Sequence, residues 1–216
     1  MSSSTAATKP FSLSAGHPAL DFVNTLDNRF NPAGPRELLS SYEDLWRFVA
    51  QSGLARREIA RAQGRAQQKA REAALHSAVQ LREAAARAFY GAIELGPLLG
   101  AARVSAAEAL PALEPFFLEA GAHQQLHWKE RGTQQPRVEW GFAAAEADPR
   151  LPVWMLARAT EQLLTTDALA QVHACDSPSC RWLFLDTSKN HRRRWCDMRI
   201  CGNRMKARRF QAKHDG

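Results

Sequence analysis

All four cysteines of this chain fall within residues 175–201, as two equally spaced pairs. Cys175-x4-Cys180 and Cys196-x4-Cys201 are separated by fifteen residues, and the other 189 residues contain none. No other feature restricts the fold as much. Two short turns that each present two thiols can close a tetrahedron around one soft cation, and a segment tied at four points has few conformations left. Four protein ligands leave no position for substrate, so the site reads as structural and holds one Zn2+. The other reading of the same residues is a set of buried free thiols. The first nine residues are Ser/Thr/Ala-rich, with neither a basic start nor an apolar stretch, and do not resemble a secretory signal. The expected setting is therefore cytoplasmic and reducing, where clustered thiols bind metal in preference to pairing as disulfides. His173 and His191 could each replace a cysteine, but their positions fit a helix end and a loop.

The charge of the chain sits on the same segment. Cys175–Gly216 carries eleven Lys/Arg against four Asp/Glu, which accounts for the whole net charge of +7, because the remaining residues hold eighteen of each sign. Four thiolates around a dication contribute about −2, leaving about +5 on roughly 40 residues. Such a patch attracts anions. Lys189, Arg192, Arg193 and Arg194 form one cluster before Trp195. Arg204, Lys206, Arg208, Arg209 and Lys213 form a second at helical spacing, with Arg204 and Arg208 on one face and Lys206 and Arg209 on another. A helix of this kind can lie along a phosphate backbone or enter a major groove, with the loop arginines holding nearby phosphates. Double-stranded DNA is the expected partner. RNA is a variant, since Trp182, Phe184 and Trp195 could stack bases if exposed, but as apolar cover for the sulfurs they are expected to be buried. The alternative is a solvated helix whose arginines pair with acidic groups of the other domain, or a basic face that docks an acidic protein.

The rest of the chain reads as helices with one hairpin. "FSLSAGHPALDFVNTLDNR" predicts a short helix after Pro18, with Leu20, Val23 and Leu26/Asp27 at helical spacing. "NPAGPREL" is turn chemistry, and "SSYEDLWRFVAQSGL" is an amphipathic helix capped by Ser41 and stopped by Gly53. Residues 56–95 are proline-free and helix-favouring, with Gly64 a break and Gly96-Pro97 a stop, and 105–120 is helical despite Pro111 and Pro115. Leu126/Trp128 and Val138/Trp140 alternate at period two around a polar connector, which predicts an antiparallel hairpin. Residues 151–174 return to helix, burying Trp154, Leu156, Leu163, Leu164 and Leu169. The expected fold class is α+β, mostly α. Residues 1–10 form a disordered tail, 11–172 a helical domain with a hairpin near 123–142, and 173–216 a small zinc module ending in a basic helix. No apolar run approaches the roughly 18–20 residues that span a bilayer.

"FLDTSKNHRRRWCDMRICGNRMKARRF" resembles the CGNR zinc finger, named for Cys201-Gly202-Asn203-Arg204, and "GHPALDFVNTLDNR" is similar to the opening of the ABATE domain that precedes that finger. The resemblance implies that Cys175, Cys180, Cys196 and Cys201 are the zinc ligands, and that the chain is a bacterial, stress-linked transcription regulator. Gly202 fits a tight backbone after a metal-binding turn. Asn203 is placed to bond that turn, and Arg204 to brace Asp186 or meet phosphate. His17, Asp21, Asn24 and Arg29 cluster around the first helix and could line a pocket for a small effector, the plainer reading being capping and ion pairing. Nothing in the sequence carries an enzyme's signature: there is no nucleophile with evident partners, no phosphate loop and no His-rich catalytic metal motif. The expectation is a zinc-dependent DNA-binding regulator whose N-terminal domain senses a ligand or forms a homodimer.

Overall fold

The computed structural model describes residues 10–55, 68–95, 105–131, 134–142 and 148–214. The expected tail, the Gly64 break and the Gly96-Pro97 stop lie outside the described residues, apart from Pro10.

The first helix, α1 (Pro18–Val23), has proline in its first turn and His17 as N-cap, whose Nδ1 accepts the Ala19 N–H at 3.2 Å. It buries all but its first residue, so its short length reflects a central position in the core. The sequence pattern extended this helix to Leu26/Asp27. Instead Leu26–Asp27 forms strand β1 and pairs antiparallel with β2 (Arg36–Glu37). The change of direction follows from Asn24 and Thr25. Thr25 Oγ1 turns back to the Phe22 carbonyl at 2.6 Å, while the Asn24 amide is drawn to another strand.

Helix α2 (Tyr42–Gln51) begins as expected: Ser41 Oγ accepts the Asp44 N–H, and Gly53 takes φ +80° after its end. Helix α3 (Gln68–Ala92) is the longest element. Ala74, Ala78, Leu81, Ala85 and Ala88 recur at steps of four and three and are buried, so small side chains let the other helices approach closely. Its alanine-rich composition conceals Arg82, which is 2% exposed. That guanidinium forks onto Glu37 at 2.6 and 2.7 Å and also reaches Thr25 and Glu83, joining α3 to β2 and to the residue before β1. A buried cation is tolerable only with such complete pairing.

Helix α4 (Ala106–Ala122) opens with a Ser105/Glu108 capping box and runs through both prolines. It leads into the expected antiparallel hairpin, β3 (Gln124–Arg131) and β4 (Gln134–Phe142), in which Leu126 faces Trp140 and Trp128 faces Val138. Helix α5 (Leu151–Leu164) packs against α1, α3 and α4. The expected helix to Ala174 stops there, and a 3-10 turn (Asp167–Gln171) leads into strand β5 (Val172–Ala174). Leu164, the last residue of the helix, and Leu169, in the turn, are only partly buried.

Strand β5 pairs antiparallel with β6 (Leu183–Leu185), the rib expected between the cysteine pairs, and β6 packs on α1. The chain ends in a π-helical turn (Met198–Gly202) that continues as α6 (Asn203–His214). Among the described residues the fold is mostly helical with three small antiparallel ribbons. No helix among the described residues is long and apolar enough to cross a membrane.

Candidate metal centre and basic helix

The first thiol pair is set by the β5–β6 ribbon. The Cys175 N–H donates to the Trp182 carbonyl at 2.8 Å, extending the ladder by one step. The chain then turns at Pro178, with the N–H groups of Cys180 and Arg181 both donating to the Ser177 carbonyl. Arg181 takes the left-handed φ of +53° immediately after Cys180, where the chain turns into β6. The second pair is tied to the first where the Asp176 N–H donates to the Arg194 carbonyl at 2.9 Å. Asp197 caps the π-helical turn, its Oδ1 accepting from Arg199 and Ile200, and its carbonyl accepts the Cys201 N–H at 2.9 Å.

All four Sγ atoms lie within 4.8 Å of one another and all four residues are buried. Cys180 and Cys196 are 3.6 Å apart and Cys196 and Cys201 3.7 Å apart. Tetrahedral Zn–S bonds of about 2.3 Å place sulfurs ~3.8 Å from one another, whereas a disulfide needs about 2 Å. The donor set therefore fits one zinc ion. The electrostatics agree. Hydrogen bonds from the Cys180 and Cys196 thiols push Cys175 down to about 2, helped by backbone N–H groups of Cys196 and Ser177. Those same bonds push Cys180 and Cys196 up, and burial with the Cys175 charge pushes up Cys201. One thiolate is favoured in the cage and the next three are opposed, so a bound dication supplies the neutralising charge that lets four ionise together.

Around the cage, Phe184 is wholly buried, but Trp182 and Trp195 are half-buried where the sequence reading expected full cover. Gly202 is favoured for a different reason than expected. Its φ is unexceptional, but a Cβ there would stand 2.4 Å from Met198 Sδ and 3.2 Å from Trp195 Cδ1. Asn203 does bond the turn, donating to the Arg199 carbonyl at 3.1 Å. Arg204 does not brace Asp186. The Asp186 carboxylate instead accepts the backbone N–H groups of Ser188 and Arg193, both at 2.9 Å, and the Ser188 side chain, helped by these two bonds, holds it down at about 2. His173 is exposed on β5 and His191 Nδ1 lies 3.0 Å from the Asp186 carbonyl; neither joins the thiol cluster.

The nine basic residues divide by environment. Arg193 is consumed internally: it donates to the Trp195, Cys196 and Ser14 carbonyls and lies over the Phe184 ring at 4.5 Å. Arg194 pairs with Asp176 at 2.6 Å. Lys189, Arg192, Arg204, Lys206, Arg208 and Arg209 are exposed, and among the described residues no ion pair engages them. The side chain of Lys213 lies outside the described residues. Arg199, on the π-helical turn, adds an exposed cation that the sequence grouping omitted. Helix α6 contains no acidic residue, and its main packing is with the turn before it.

Of the four candidate pocket residues, Asp21 and Asn24 line one cleft, whereas His17 and Arg29 do not. His17 caps α1, with burial lowering its pKa, and Arg29 forks onto Glu83 at 2.5 and 3.2 Å. Asp21 accepts the Ala15 N–H at 2.9 Å, and burial pushes its carboxyl up to about 6 against the pull of the Ala15 and Ser14 backbone bonds. Asn24 gives its amide N–H to the Leu183 carbonyl at 2.9 Å and accepts the Leu183 N–H at 3.0 Å. It therefore completes the free edge of β6. Further bonds weld the finger to the helical domain: Leu185 N–H to the Ala15 carbonyl at 2.7 Å and Tyr90 hydroxyl to the Arg181 carbonyl at 2.8 Å. Only Asn24 had a sequence signal, as an amide on an otherwise apolar turn of helix; the Tyr90 and Arg193 roles had none.

Cage, ribbon and trailing helix define the class: a four-cysteine zinc finger seated on a helical domain through a shared core. The chain belongs to the ABATE family, described as "putative stress-induced transcription regulator", which it matches over residues 16–167. It carries a CGNR zinc finger, matched over residues 171–214. Zn2+ is the cofactor that this finger and its four cysteines define. No curated protein matches the chain.

Proposed function

We propose that this chain is a zinc-dependent, DNA-binding transcription regulator in which the finger holds the nucleic acid and the N-terminal domain senses a ligand or forms a homodimer. One observation carries the reading: an acid-free helix, continuous with the metal cage, exposes Arg204, Lys206, Arg208 and Arg209 with no ion pair to the rest of the described molecule. Every described side chain of that helix but Met205 is exposed, so the core contributes little to it and its use depends on a partner. Duplex DNA suits the helical spacing of these cations.

The test is a salt titration of binding to random duplex DNA by the zinc-loaded protein. Affinity falls steeply with salt, and Arg208→Ala/Arg209→Ala abolishes it or reduces the slope of log K against log salt by about 2. Salt-independent or undetectable binding sinks the reading. A second reading, docking of an acidic protein, draws on Met198, Ile200 and Phe210, which are at least half exposed beside the cations. It predicts a stable complex and indifference to DNA.

Dimerisation through a second copy is supported by the hairpin. Leu126, Trp128, Val138 and Trp140 share one face of β3–β4 and are 52–63% exposed. Two such faces in contact bury on the order of 1,000 Å², the lower bound of a specific interface. A face of this kind is self-complementary about a two-fold axis. Sedimentation equilibrium of the native chain and of Trp128→Glu/Trp140→Glu decides it: a dimer that the double variant converts to monomer is expected, and a monomeric native chain excludes it.

A further inference from the structure

The cations of α6 are not spread evenly around the helix. Met205, its half-buried residue, follows buried Cys201 by one helical turn and so marks the side toward the metal module. At about 100° per residue, Asn203, Ala207, Phe210 and His214 fall on the opposite, outer side. No Lys or Arg stands on this stripe. Arg204 and Arg208 flank it on one side, and Lys206 and Arg209 on the other. Cations that served only to solvate the helix would have no reason to avoid the side most open to water. The stripe carries apolar surface instead: Phe210 is 64% exposed, and its ring centre lies 4.1 Å from that of His214. Two rows of positive charge with an uncharged strip between them match two strands of phosphate with base edges between them. A helix with its side chains is about 10–12 Å across, and the major groove of B-DNA is about 12 Å wide. The minor groove, about 6 Å wide, does not admit a helix.

We propose that the outer stripe of α6 enters the major groove of duplex DNA, with the Phe210 ring against a thymine C5-methyl group and the two rows of cations on the phosphates of opposite strands. This contact rests on the proposed DNA-binding role and gives it a base preference. The thymine methyl is the apolar group that unmodified base pairs present in that groove, so an exposed phenyl ring there selects A·T pairs. Ala207, one turn before Phe210, is small enough for the helix backbone to approach the base edges. The cations carry no such preference, because phosphates are the same at every step. Phe210 is thus a specificity-determining residue, and Arg204, Lys206, Arg208 and Arg209 supply affinity that does not depend on sequence.

The experiment measures binding of the zinc-loaded full chain to two duplexes of equal length, by fluorescence anisotropy over a salt series. One alternates adenine and thymine; the other has every thymine replaced by uracil, which removes only the major-groove methyl. Burying a methyl is worth about fourfold in affinity, so the thymine duplex is expected to bind at least about fourfold tighter. Phe210→Ala brings that ratio to about one and leaves the salt slope unaltered, whereas Arg209→Ala weakens both duplexes alike and lowers the slope by about 1. Zinc content and circular dichroism establish that both variants fold. Equal affinity of the native chain for the two duplexes, with ordinary salt dependence, overturns the thymine contact and leaves the DNA-binding reading intact. A ratio that survives Phe210→Ala overturns the role of Phe210. Loss of affinity for both duplexes alike in Phe210→Ala overturns the methyl contact in favour of a ring wedged between bases. Absence of salt-dependent binding to either duplex refutes the DNA-binding reading, and this placement with it.

Discussion

Replacing Asn24 by alanine separates a structural clamp from a ligand contact. The amide closes a ring with the backbone of Leu183, donating at 2.9 Å and accepting at 3.0 Å, and Asn24 and Leu183 are both buried. Truncation leaves a backbone N–H and a C=O without partners, at about 1–3 kcal/mol each, so a loss of about 2–5 kcal/mol is expected after some hydration of the gap. That is a large part of the stability of an ordinary domain. Asn24→Asp keeps the acceptor, loses the donor and buries a charge, so at neutral pH it does no better. Urea unfolding followed by circular dichroism gives the stability change, and hydrogen exchange at the Leu183 amide shows whether the strand edge has opened. Zinc release to a chromophoric chelator should also quicken, because the β6 edge and the thiol turn are one continuous segment. A stability change below about 1 kcal/mol with Leu183 protection unaltered would refute the clamp.

Three other outcomes follow from the same geometry. Asp21 has its carboxyl raised from 3.8 to about 6, so its contribution is complete below about pH 4 and is lost as pH rises through 6. The swing is on the order of 2–3 kcal/mol, and Asp21→Asn, which can still accept from Ala15, should flatten it; parallel pH profiles for the two proteins would contradict the burial effect. Zinc removal, by chelation or by Cys196→Ser, should unfold the ribbon and α6 and also lower the melting midpoint of the helical domain, since the cysteines, Leu183 and Phe184 belong to one core with α1. A helical domain that melts unchanged without zinc would show the two to be independent. Gly202→Ala gains about 1 kcal/mol of helix propensity but crowds Met198 and Trp195 at a cost of about 1–3 kcal/mol. Exposed Met198 can swing aside, so a net loss of about 1 kcal/mol is expected from thermal melts, and a gain would show that Trp195 also yields.

What the sequence determined here is whatever depends on neighbours along the chain. Four thiols at fixed spacing, an acid-free basic helix, Ser41 as an N-cap and the Leu126/Trp128 and Val138/Trp140 alternation are local patterns, and each reappears in the structure. Tertiary structure decided the rest, because burial and long-range pairing assign roles that residue type leaves open. Asn24 and Asp21, separated by one helical turn, became a strand clamp and a cleft wall because β6 returns to α1 some 159 residues later. Arg193 and Arg192 are adjacent and chemically identical, yet one is spent on the carbonyls around the cage while the other faces solvent. Arg82 lies inside an alanine-rich helix whose sequence gives no sign that a cation is buried there. Charge and spacing sufficed to read the metal centre and its basic helix. How the finger joins the domain beneath it is a property of contacts between distant segments, and only the folded chain specifies them.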